Sequence, residues 1–140
     1  MNAFLEKMVG QKYKGKGELW LDPAGNAAEF YDCELAIEPN KIRYSWQYDN
    51  KTHEGSYTFI NKGAEWVDSW HQPKAILGSA IANTWGLFAT HHEYEIPDSP
   101  NWGWRSQLSE RPDGTLVLQM TNITSWGEEG RAVRMVFARK

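Results

Sequence analysis

Turn signals punctuate this chain at short, nearly even intervals. Asp22-Pro23-Ala24-Gly25-Asn26, Pro39-Asn40, Asn50-Lys51, Asn61-Lys62-Gly63, Pro97-Asp98-Ser99-Pro100-Asn101, Arg111-Pro112-Asp113-Gly114 and the bracket Gly127 to Gly130 each supply turn-forming residues. Between them, apolar and polar residues alternate, which places successive side chains on opposite faces of a strand. The alternation is cleanest over residues 41–49. Ile42, Tyr44, Trp46 and Tyr48 share one face, expected to be buried, and Arg43, Ser45, Gln47 and Asp49 share the other. Direct hairpins of this kind build an antiparallel meander. A sheet of about ten strands tends to close, because twist accumulates and open edges invite aggregation. The expected fold is all-β: an antiparallel up-and-down β-barrel of about ten strands, one domain over residues 1–140, in preference to a Greek-key sandwich.

The one helical signal is residues 2–9, with Asn2 as N-cap, Ala3, Phe4, Met8 and Val9 as the apolar positions and Gly10 as the stop. This short helix is expected to lie across one barrel mouth. Residues 74–86 are less regular and read as a short strand followed by a loop.

Composition narrows the function classes. The net charge is −3 without any basic block, which argues against nucleic acid as the main partner. A single cysteine, Cys33, rules out an internal disulfide and fits a reducing compartment. No apolar run reaches the roughly 20 residues of a membrane helix, and the first residues lack the apolar core of a signal peptide. A cytoplasmic protein without a membrane partner is the expectation. The 8 Trp, 6 Tyr and 5 Phe are the unusual feature, since each can fill a core or line a cavity.

The segments GELWLDPAGN, EWVDSWHQ and WGWRSQL, with the final strand after WGEEGRAVRMVFARK, resemble a largely bacterial family of lipocalin-like barrels in the calycin superfamily. The likeness runs from about Gly10 onward. It implies a barrel with an internal cavity and carries no particular activity with it.

Barrels of this size can enclose one small ligand. In EWVDSWHQ, residues 65–72, Trp66, Asp68 and Trp70 share one parity, while Glu65, Val67, Ser69 and His71 share the other. The contrast places the first set in the lumen. A carboxylate there needs a partner; Arg105 is the expected one, with the Tyr44 hydroxyl as the fallback. The ligand-binding candidates are Trp20, Tyr44, Trp46, Trp66, Asp68, Trp70, His92 and Arg105. Trp102 and Trp104 have the parity opposite to Arg105 and Gln107, so only one of these pairs can face inward on a regular strand.

No constellation of residues marks a reaction. His91 and His92 face opposite sides, no zinc-type spacing is present, and Cys33 lies between Asp32 and Glu34, which raise rather than lower a thiol pKa. No nucleophile elbow or phosphate loop is present, and no catalytic residue, metal or cofactor is assigned. The expected function is binding of a small apolar or aromatic molecule in the barrel, with homodimer formation left open. The alternatives are an enzyme using Asp68 or a histidine as acid/base in the same cavity, and haem binding through a single histidine. Whether the chain is an enzyme stays open.

Overall fold

The computed structural model describes residues 1–22, 25–81 and 86–140, with residues 72 and 73 described by backbone alone. Ten strands follow a short helix, α1 (Ala3–Glu6): β1 (Lys12–Trp20), β2 (Ala28–Glu38), β3 (Lys41–Tyr48), β4 (Lys51–Ile60), β5 (Gly63–Asp68), β6 (Gln72–Ala80), β7 (Phe88–Tyr94), β8 (Trp102–Glu110), β9 (Leu116–Ile123) and β10 (Glu129–Arg139). Each strand pairs antiparallel with its sequence neighbour, and β1 pairs with β10, so the sheet closes on itself. The expected all-β barrel is what the chain forms. Pro23 and residues 82–85, part of the expected loop, lie outside the described residues. No described helix is long and apolar enough to cross a membrane.

Tight turns set the registers. Asn40, Asp49, Asn50 and Lys62 all have positive φ, the geometry that two-residue hairpins require. The β3–β4 turn is therefore Asp49-Asn50, one residue earlier than the expected Asn50-Lys51, and Lys51 already belongs to β4.

The strand β3 buries Ile42, Tyr44 and Trp46 and leaves Arg43 exposed, as its alternation predicts, while Tyr48, expected on the same buried face, is half-buried. The barrel interior divides by height. Toward one end, Tyr13, Ile37, Ile42, Leu108, Leu116 and Phe137 are fully buried within it. Toward the other, the inward residues are mainly aromatic.

The packed end is stoppered by α1, which is shorter than expected. Asn2 caps it, its side chain accepting from the Leu5 amide at 2.9 Å and donating to the Leu87 carbonyl. Leu5 and Met8 are buried, whereas Phe4 and Val9, expected on the apolar face, are exposed. The helix spans one turn only, so two inward residues suffice and the rest of its surface meets water. Gly10, at φ 93°, ends the segment, and its amide bonds to the Ile37 carbonyl at 2.8 Å.

The wall has one weak seam. Strands β6 and β7 share a register only at Ser79↔His91 and Ala80↔Thr90 among the described residues, extended by the Ile81 amide donating to the Ala89 carbonyl at 3.0 Å.

Candidate functional site

The strand β5 ends on Asp68, and the chain turns immediately through Ser69, Trp70 and His71 into β6. That turn explains the carboxylate. Asp68 is fully buried, and one oxygen accepts from the amides of Trp70 at 2.9 Å and His71 at 3.2 Å. This is the local aspartate-to-backbone bond that stabilises turns. The other oxygen accepts from the Tyr44 hydroxyl at 2.6 Å and the Trp46 indole at 3.3 Å. The Trp66 indole in turn donates to the Tyr44 oxygen at 2.9 Å. Burial raises the Tyr44 phenol well above its ordinary range, with Tyr57 and Asp68 adding to the effect, so it stays a donor.

The tyrosine fits because Gly55 lies opposite it on β4. A Cβ at position 55 would sit 2.1 Å from the Tyr44 ring. Gly55 also pairs with Asp68 on its other side, so one glycine gives the network its room.

Arg105 is not the partner of Asp68. It faces the outside of the barrel and pairs with Glu129 at 2.5 Å, partly exposed. The residues of β8 that turn inward are those of the opposite parity: Trp104, Ser106 and Leu108. An arginine outside can keep its charge hydrated, which the lumen would deny it.

Trp66 and Asp68 face inward together, as their parity predicts. Trp70 does not continue the pattern. It lies past the end of β5, at the lip of the barrel, 41% exposed, with its ring edge-on to Trp46 and Tyr48. His71, expected on the outer face, is drawn inward by the same turn. Its ring stacks on Trp46 at 5.7 Å and lies 5.2 Å from Trp104.

These residues enclose a cavity of about 250 Å³ at the open end. Its walls include Trp66, Trp70, His71, His92, Tyr94 and Trp104. Trp66 and Trp104 stack nearly parallel, 15° apart with centroids at 5.6 Å, and Tyr57 extends the stack behind Trp66. A recess of about 180 Å³ adjoins it, sharing Trp70, His71, Tyr94 and Trp104 and bounded by Trp20. Trp20 is covered by the Arg131 guanidinium at 4.6 Å, and Arg131 itself donates to the Gly25 carbonyl at 2.8 Å.

His92 is buried at 3% exposure, and neither ring nitrogen has a hydrogen-bond partner. The Trp104 indole nitrogen is likewise buried and unpartnered. His92 and Trp104 are direct cross-strand partners, so both unpaired groups stand side by side on the same wall. Gly78 makes room for the imidazole, since a Cβ there would lie 3.2 Å from its Nδ1. Burial pushes the imidazoles of His71 and His92 down to about 4, so both are neutral near pH 7.

The structure thus brings Trp66, Trp70 and His92 around one cavity, with Trp20 at its annex. Tyr44, Trp46 and Asp68 lie behind them as support. Sequence reasoning missed His71, Tyr94 and Trp104 as cavity residues. For Trp104 a signal existed, because Leu108 shares its parity and marks the inner face of β8. For His71 none did, because a turn resets the parity of every residue after it.

Fold and site together define a closed ten-stranded antiparallel barrel, filled at one end and holding an aromatic cavity at the other. No family model matches the chain, and no curated protein matches it.

Proposed function

We propose that the chain binds a small, flat, largely apolar molecule in the cavity at the open end. One observation carries this reading: a fully enclosed, unpartnered imidazole, His92, stands in the wall of a cavity made mostly of aromatic faces, with Ile76 beside them. Leaving a buried polar group without a partner costs roughly 1–3 kcal/mol, a cost that a guest able to pair with it would offset. Aromatic walls around a few polar atoms are the usual make-up of a small-molecule site.

The volume indicates the size of the guest. About 250 Å³ lies just under the ~300–1,000 Å³ typical of drug-sized ligands, which suits one or two fused rings rather than a tetrapyrrole. The geometry also weighs against acid/base work by Asp68. Its oxygens already accept four hydrogen bonds and none faces the cavity, so it has no open position toward a guest.

Titration with 2-naphthol, followed by calorimetry, tests the proposal. Saturable binding is expected in the parent, weakened at least about tenfold in Trp104→Leu, which removes one wall of the cavity. Circular dichroism serves as the control for folding. Binding that is indifferent to Trp104→Leu would place the guest elsewhere and end this reading. Native mass spectrometry of protein purified from its own source cells then looks for the retained molecule itself.

A further inference from the structure

The polar atoms left unpartnered in the cavity wall specify more than an aromatic body. The inference rests on the cavity being a ligand site. A neutral imidazole offers one donor and one acceptor nitrogen, and an indole nitrogen is a donor only. His92 and Trp104 stand opposite one another across the β7–β8 ladder, and the three nitrogens they carry are all unpartnered. Among the described residues, no Lys, Arg, Asp or Glu lines this cavity. The guanidinium that lines the adjoining recess, that of Arg131, is already placed over Trp20 and bonded to the Gly25 carbonyl.

We infer that the natural ligand is an uncharged hydroxyarene, its ring against the Trp66–Trp104 stack and its hydroxyl read by His92 and Trp104 together. A hydroxyl is the substituent that answers both. Its proton goes to the acceptor nitrogen of His92, and its oxygen accepts from the Trp104 N–H. An arylamine makes a poor acceptor and leaves the indole N–H unmet. An aryl carboxylate supplies acceptors but brings a charge into a cavity lined by no cation, where its desolvation is uncompensated. An unsubstituted arene meets neither group.

The test compares naphthalene, 2-naphthol, 2-naphthylamine and 2-naphthoate by calorimetry against the parent, His92→Phe and Trp104→Phe. Both substitutions keep a ring and delete nitrogen, and the quantity read is the ratio of affinities within each protein. In the parent, 2-naphthol is expected to bind about tenfold more tightly than naphthalene, since one or two net hydrogen bonds are worth that factor. The ratio should fall toward one in both variants. The Trp104 indole proton resonance, identified by its loss in Trp104→Phe, should move downfield with 2-naphthol and not with naphthalene. Tightest binding by the carboxylate or the amine would overturn the inference, as would a naphthol preference that survives both substitutions. If none of the four binds, the cavity is not a ligand site, and the proposed function falls along with the inference.

Discussion

A carboxylate with no exposed surface must be met by donors on every side, and Asp68 is met by four. Two of them are backbone amides of the turn that follows it, so the residue closes its own hairpin before it touches any other strand. The remaining two, from Tyr44 and Trp46, tie that hairpin to β3. Replacing Asp68 by alanine removes two acceptor oxygens and leaves four donors unmet. The expected cost is on the order of 3–5 kcal/mol, as for other broken buried networks. Asp68→Asn retains a carbonyl oxygen for the turn amides and should cost roughly half as much. Urea denaturation with an unchanged slope is the measurement. Two variants that unfold at the parent's midpoint would show that the network adds nothing to stability.

At the scale of the element, strand parity was legible wherever a strand is regular. The inner face of β3 and the inward pair Trp66 and Asp68 follow from alternation alone. What alternation does not carry is the turn. Past Asp68 the chain reverses, Trp70 moves to the lip and His71 swings inside. The partners of Asp68 were illegible for a related reason. Half of them are peptide N–H groups, which every residue type but proline possesses and no sequence pattern advertises. Arg105 drew attention because charge is visible in a sequence and backbone is not. Of the seam between β6 and β7 the sequence shows only the irregular stretch 74–86, which does not tell how far the two strands run side by side. Amides of Ala75, Ile76 and Leu77 are expected to exchange with solvent faster than those of β3, which is paired with β4 along its whole length and with β2 from Lys41 to Trp46. Hydrogen-exchange mass spectrometry resolves the two segments, and equal protection would mean that the seam is closed in solution.

For the molecule as a whole, the cavity has a cost that pH exposes. His71 and His92 are held at about 4 by burial, against an ordinary value of 6.5. Between those values the unfolded chain binds protons that the folded one refuses, so stability rises with pH across that window. The contribution is full above about 6.5 and drains away as pH falls toward about 4, by up to about 3 kcal/mol for each imidazole. Melting temperatures at about pH 5 should therefore lie below those at about pH 7, and His92→Phe should flatten the difference. A slope unaffected by His92→Phe would show that this imidazole charges within the fold.

The lone thiol gives the barrel a clock of its own. Cys33 faces inward from the middle of β2 at 3% exposure, beside Trp46 on the neighbouring strand, and burial pushes its pKa up to about 12. A maleimide or disulfide reagent finds no other sulfhydryl in the chain and cannot reach this one while the wall is intact. Every labelled molecule therefore records an excursion in which β2 left its neighbours. At low reagent the labelling rate tracks how often the wall is open, and at saturating reagent it tracks how fast the wall opens. The same adduct, followed by mass with and without a bound guest, reports how firmly that guest holds the staves together.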